Sequence, residues 1–113
     1  MSGIMQMEIS VEELEALRDQ ETPHRLIDCR ELDEWNLCRI EGAQLIPLSN
    51  LVDTAPQRLG DNKAAHIIVY CHHGMRSMRA TQWLRSQGYA ATQSLHGGID
   101  LWSEVIDPSV PRY

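Results

Sequence analysis

No apolar run in this chain of 113 residues approaches the roughly 20 residues that a membrane-spanning helix needs. Met1 to Met7 contains no charged segment followed by a long apolar core, so no secretory leader is expected. Positive charge is in deficit. The net charge of −6 gives a nucleic-acid role no electrostatic support, and neither a nucleic-acid nor a membrane partner is expected. Cysteine is scarce and odd in number: three thiols, Cys29, Cys38 and Cys71, cannot all pair within one chain and do not form a disulfide framework. A reducing, cytoplasmic setting follows as the expectation. Cys71, His72 and His73 are adjacent, but no second ligand pair stands at a suitable spacing, so no metal or other cofactor is expected. Internal repeats, low-complexity stretches and linkers are also missing. The length allows one compact domain over residues 1–113, with a loose lead-in at 1–6 and an extended tail at 106–113.

What the chain does have is a sequence of short apolar runs alternating with helical patterns. Met7-Glu8-Ile9 suits a short strand. Ser10 and Glu13 form a capping box ahead of Val11, Leu14 and Leu17, which predicts a helix to about Asp19. Arg25 to Cys29 reads as a buried strand, and Glu31 to Leu37 as a brief acidic helix with Leu32 and Trp35 facing inward. Ala43 to Ile46 reads as a strand closed by Pro47. Ser49 is placed to cap a helix that Pro56 interrupts. His66 to Tyr70 is continuously apolar and β-branched, as a central parallel strand should be. Ser77 to Gln87 follows as a helix with Ala80, Trp83 and Leu84 inward, ended by Gly88. Ala91 to Leu95 and Ile99 to Val105 supply a last strand and helix. This alternation predicts an α/β domain around a mainly parallel five-stranded sheet.

Between the central strand and its helix lies Cys71-His72-His73-Gly74-Met75-Arg76-Ser77. A helix N-terminus presents unpaired amides and partial positive charge, and a loop curled in front of it holds anions. A thiol placed there ionises easily, which makes Cys71 the candidate nucleophile. Gly74 allows the backbone angles that bring amides together. Arg76 is placed either to orient an anionic substrate or to brace the loop by pairing a carboxylate such as Asp28 or Glu34. His72 and His73 either bind anions when protonated, line the pocket or stand exposed; Met75 completes the loop, Ser77 suits a helix cap, and His72 to Ser77 together are the candidate substrate-binding residues. Arg79 adds to the local positive charge, whereas Arg85 reads as part of a solvated helix face. Asp28 and Arg30 read as structural support, with Asp28 accepting from loop amides. Cys29 and Cys38 read as small core fillers, Trp35, Trp83 and Trp102 as core or pocket walls, and His96 as surface.

These segments resemble the rhodanese family of sulfurtransferases from Ile9 to Trp102. Leu26-Ile27-Asp28-Cys29-Arg30-Glu31 with Glu34-Trp35 is similar to the family's "LIDVRE..EY/F" signature. Arg39-Ile40-Glu41-Gly42-Ala43 is similar to its "HIPGA" segment, with Glu41 where Pro is common and Cys38-Arg39 where Gly-His is common. Val69-Tyr70-Cys71 through Arg76-Ser77, with Leu95-His96-Gly97-Gly98-Ile99 and Trp102, is similar to "VYC..G.RS … L.GG…W". The resemblance implies a three-layer α/β/α fold. It also implies transfer of a sulfane sulfur from a small anionic donor such as thiosulfate, through a Cys71 persulfide, to a thiol, cyanide or a sulfur-carrier protein. His72 stands where many thiosulfate-using members have arginine. The tail from Ile106 resembles the ends of modules fused to adenylyltransferases that activate sulfur carriers. The second expectation is a sulfur-relay or sensor module that delivers persulfide sulfur to a protein partner such as a sulfur carrier, with little small-molecule turnover. The four residues between Cys71 and Arg76 match the tight sulfurtransferase loop rather than the five-residue loop of related phosphatases.

Overall fold

The computed structural model describes residues 5–113. Its elements, in chain order, are β1 (Glu8–Ile9), α1 (Val11–Asp19), β2 (Arg25–Asp28), α2 (Leu32–Leu37), β3 (Gln44–Leu45), a 3-10 turn at Leu48–Asn50, α3 (Leu51–Leu59), β4 (Ile67–Tyr70), α4 (Met75–Ser86), β5 (Thr92–Leu95) and α5 (Gly98–Val105). The five strands form one parallel sheet in the order β1-β5-β4-β2-β3, so the most apolar strand, β4, is central as expected.

Alternation along the strands divides the core in two. Leu26, Ile68, Tyr70 and Leu95 point to one face, where Val11 and Leu14 of α1 and Ile99 and Trp102 of α5 cover them. Ile27, Ile67, Val69 and Cys71 point to the other, against Leu51, Ala55 and Leu59 of α3 and Ala80 and Leu84 of α4. This is the α/β/α arrangement expected from the sequence. The capping box of α1 forms as predicted, with Ser10 Oγ accepting from the Glu13 amide at 3.0 Å and Glu13 accepting from the Ser10 amide at 3.0 Å.

Several local expectations are corrected. Pro56 does not interrupt α3, which runs through it to Leu59. Pro56 lies on the exposed side, where water can satisfy the carbonyl it leaves unpaired, while Leu51, Ala55 and Leu59 hold the helix to the sheet. Ser49 does not cap that helix; it sits in the 3-10 turn and donates to Glu31 Oε1 at 2.9 Å. Leu32 does not face inward: it is 59% exposed, because the six-residue α2 lies at the carboxyl end of the sheet with no fully buried side chain. Arg85 is not part of a solvated face, since its guanidinium donates to the carbonyls of Thr92 (2.8 Å), Met5 (3.1 Å) and Gln6 (2.9 Å). It thereby ties part of the expected loose lead-in to the fold; residues 1–4 of that lead-in lie outside the described residues. The tail is also not simply extended. It turns at Asp107–Val110, buries Val110, and returns Tyr113 to the carboxyl end of the sheet.

Candidate active site

Cys71 is the first residue beyond β4, and helix α4 begins four residues later at Met75. Met75 and Arg76, expected in the loop, therefore belong to the helix, and Gly74 belongs to its cap. Gly74 is the N-cap, at φ 113°, a left-handed conformation that a Cβ would strain. Ser77 lies in the first turn and does not cap it. The tight reversal aims two amides at one sulfur: Gly74 N donates to Cys71 Sγ at 3.1 Å and Ser77 N at 3.3 Å. The Ser77 hydroxyl is 3.4 Å from the same sulfur and 2.8 Å from Ser94 Oγ, so it can donate to a thiolate while accepting from Ser94. From the far side of the loop, the first amides of α5 hold its carbonyls outward: Ile99 N donates to Cys71 O at 2.9 Å and Asp100 N to His72 O at 3.1 Å. Carbonyl oxygens are thus turned away from the sulfur and amides toward it.

Cys71 is buried, yet its environment favours the anion. The neighbouring Cys29 thiol, donating to the ionised sulfur, has the largest effect. The Ser77 hydroxyl and the Ser77 and Gly74 amides add to it against the opposing effect of burial, and the Cys71 thiol falls to about 4 from an ordinary 9.0. Cys29 responds in the opposite sense. Donation to Cys71 and burial hold its proton on, well above the ordinary thiol range. Sequence reasoning placed Cys29 in the core and missed this contact. The available signal was positional, since both thiols immediately follow adjacent strands.

The sulfur forms the floor of a cleft of about 340 Å³ lined by Cys71, His72, His73, Met75, Arg76 and Arg79. Met75 is 77% exposed at its edge. Arg76 makes a two-pronged pair with Glu34 of α2, at 2.6 and 2.8 Å. That pairing, with help from the Tyr113 hydroxyl, holds Glu34 down to about 2 against burial. Glu34, rather than Asp28, is therefore the carboxylate that braces Arg76, and the guanidinium stays at the cleft wall.

Asp28 and Arg30 lie beneath the cleft, not in it. Their fully buried pair has an Arg30 Nη2–Asp28 Oδ2 distance of 2.6 Å, and Asp28 also accepts the Arg30 amide at 2.9 Å. Arg30 donates further to Cys38 O at 2.6 Å and to the Tyr113 hydroxyl at 2.9 Å, with the rings of Tyr70 and Tyr113 within 5.5 and 5.6 Å of its guanidinium carbon. Tyr113 in turn donates to Glu34 Oε2 at 2.7 Å and stacks on His72, centroids 3.9 Å apart. One chain-distant tyrosine thus joins the buried pair, the Arg76 brace and the loop. Tyr113 and Ser94 were not legible as site residues; they carry no motif, and only the tertiary fold brings them here.

His72 is stacked between Tyr113 and His73, and its Nε2 is buried without a hydrogen-bond partner. Among the described residues, His72, His73 and Asp100 form the one group of three possible metal ligands, with ligand atoms within 4.8 Å of one another. Asp100 is already engaged by Arg112 at 2.9 and 3.0 Å, which neutralises the carboxylate that a cation would need.

An ionisable sulfur held by converging amides ahead of a helix, at the end of a central parallel strand, agrees with the comparisons to known proteins. The model of the rhodanese-like domain matches residues 10–105. The chain belongs to the rhodanese-like domain family. Related proteins of this family include the adenylyltransferase and sulfurtransferase MOCS3-2 of Zea mays, 32% identical over 111 residues that cover 93% of this chain and 23% of that protein. The probable adenylyltransferase/sulfurtransferase MoeZ of Mycobacterium tuberculosis is 34% identical over 90 residues, covering 78% of this chain and 22% of its own length. This rhodanese-like chain therefore spans only about a quarter of those curated relatives. Among solved structures, the human single-domain sulfurtransferase TSTD1 superposes with a TM-score of 0.79 at 29% identity, covering 89% of this chain and 98% of that one. The rhodanese-like family thus includes sulfurtransferases both as single domains and as modules of longer proteins.

Proposed function

We propose that the protein is a sulfurtransferase in which Cys71 accepts a sulfane sulfur from a small anionic donor such as thiosulfate and passes it to a thiophilic acceptor. The observation that carries this reading is the pair of amides, Gly74 and Ser77, directed at Cys71 Sγ on the floor of an open cleft with arginine side chains in its wall. The Cys71 thiolate attacks the outer sulfur of thiosulfate. The new S–S bond forms as the donor's S–S bond breaks, and sulfite leaves with the bonding pair. Negative charge then rests on the outer sulfur of the Cys71 persulfide. An acceptor thiolate or cyanide attacks that outer sulfur, and Cys71 leaves as the thiolate, so the amide donors stabilise the start and the end of the cycle.

In this reading Arg76 and Arg79 attract the donor, His72, His73 and Met75 shape its approach, and Asp28 and Arg30 hold the strand end beneath the loop. The tight four-residue spacing supports sulfur over phosphate. Sulfite release from thiosulfate in the presence of cyanide, abolished in Cys71→Ser, tests the proposal; equal release by the two proteins overturns it. A second reading, relay of persulfide sulfur to a sulfur-carrier protein, is favoured by the likeness to MOCS3 and MoeZ and by Met75, which offers an apolar contact at the cleft edge. It predicts poor turnover with cyanide and efficient transfer to a carrier whose carboxyl terminus is activated as an acyl-adenylate, with AMP as the leaving group.

A further inference from the structure

The second thiol at the site has no part in the two-step transfer. The β2–β4 register pairs Ile27 with Val69 and Asp28 with Tyr70, and the ladder continues with Cys29 N donating to Tyr70 O at 3.0 Å. Cys29 and Cys71 are therefore the next cross-strand pair. Neighbouring parallel strands lie about 4.8 Å apart, inside the roughly 4.4–6.8 Å Cα separation that a disulfide tolerates. Both side chains point to the same face of the sheet, into the same apolar cluster, and both are free thiols. Cys29 is fully buried, whereas Cys71 lines the cleft. Cys29 thus approaches the sulfur from inside, and a second sulfur carried by Cys71 would extend outward into the cleft. Attack by Cys29 would then come from the side of Cys71 Sγ away from the outer sulfur.

We infer that Cys29 is a resolving thiol that discharges a persulfide on Cys71 as sulfide, leaving a Cys29–Cys71 disulfide. The inference rests on the proposed loading of Cys71 with sulfane sulfur. In the step, Cys29 loses its proton and its sulfur attacks Cys71 Sγ as the thiolate; the bond from Cys71 Sγ to the outer sulfur breaks, and the outer sulfur leaves with the electron pair and takes a proton from water in the cleft to become HS⁻. Cys29 sulfur is oxidised and the outer sulfur reduced, so no external oxidant is needed. A thiol reductant resets the pair. The protein would then release sulfide when no acceptor takes its cargo, an activity beyond transfer itself.

The test uses the full chain, reduced, desalted and incubated with excess thiosulfate without thiol or cyanide. Wild type is expected to finish about 2 Da lighter than the reduced protein, with Cys29 and Cys71 peptides cross-linked and about one equivalent of sulfide released. Cys29→Ser is expected to keep an adduct of about 32 Da, one sulfur atom, and to release less than about a tenth as much sulfide. Cys38→Ser should behave as wild type. Cys29→Val, with circular dichroism on both variants, separates a loss of resolution from a loss of folding. A wild-type adduct as persistent as that of Cys29→Ser overturns the inference and leaves the proposed function standing. No adduct in Cys29→Ser, alongside native circular dichroism, overturns the proposed function and the sulfide route with it. An aryl disulfide probe checks the thiol pair without persulfide chemistry: two aryl thiols per Cys71 from wild type and one from Cys29→Ser are expected, and one from each refutes resolution by Cys29.

Discussion

Replacing Ser77 by alanine isolates one side-chain contribution to an anion held also by Cys29 and by two backbone amides. Cys71 titrates at about 4, against an ordinary 9.0, with the Ser77 hydroxyl among its stabilising donors. The hydroxyl is buried, 3.4 Å from the sulfur, and its loss leaves the Gly74 and Ser77 amides in place. A hydrogen bond to a charged group contributes about 1.5–3 kcal/mol, and about 1.4 kcal/mol corresponds to one pH unit, so the Cys71 midpoint should move up by about one to two pH units. The assay is the rate of iodoacetamide alkylation of Cys71 across pH, read by peptide mass. Wild type should react at a nearly constant rate from alkaline pH downward and lose reactivity only near pH 4; Ser77→Ala should lose it earlier. The same depressed value sets the sign of the stability effect. Because the folded-state value lies below the unfolded one, the thiolate's stabilisation is fully present above the ordinary thiol range and is lost as pH falls toward about 4. A wild-type midpoint in the ordinary thiol range, or an unchanged midpoint in Ser77→Ala, would refute the account of how this sulfur is held.

Asp28→Ala leaves Arg30 charged and fully buried without its partner, and chemical denaturation should show a loss of about 3–5 kcal/mol. Arg79→Ala removes an exposed cation at the cleft, which should raise KM for thiosulfate about two- to fivefold with kcat little changed, as steady-state kinetics will show. In Gly98→Ala the new Cβ would fall 2.4 Å from His72 O and 2.5 Å from Cys71 O, at φ 61°; denaturant unfolding should report a loss of about 2–4 kcal/mol, and the Cys71 midpoint should rise as the loop is displaced. Tyr113→Phe keeps the ring on His72 and removes the hydroxyl that serves Arg30 and Glu34, with an expected loss of about 1–2 kcal/mol in the same measurement.

The strands and the loop were legible because each rests on local chemistry. The apolar run before Cys71, Gly74 behind it and the capping box at Ser10 act over a few residues, and the fold places them as that chemistry predicts. Misreadings arose where a distant element decides. Ser77 has the composition of a cap, but Gly74 supplies the backbone reversal and the helix starts earlier. Leu32 and Trp35 have helical spacing, yet α2 has no layer above it to receive Leu32, while Trp35 is half-buried beneath Arg39. Pro56 obeys its own chemistry on a solvent-facing side that the sequence pattern did not single out. Arg76 had two readings from sequence, and choosing Glu34 as its brace required α2 to be placed over the loop. The return of Tyr113 depends on Val110 docking beside Ser103, a contact with no signature in the chain.

The cradle around Cys71 combines the Gly74 and Ser77 amides with the buried Cys29 and Ser77 side chains, none of which lines the open cleft. Substitution can therefore change what enters the cleft without dismantling what keeps the sulfur charged: Met75 and Arg79, both exposed, face the incoming molecule but donate nothing to the thiolate. Under the proposed function, such a division would let a lineage exchange one sulfur source for another by single steps at the rim, each intermediate retaining the ionised sulfur.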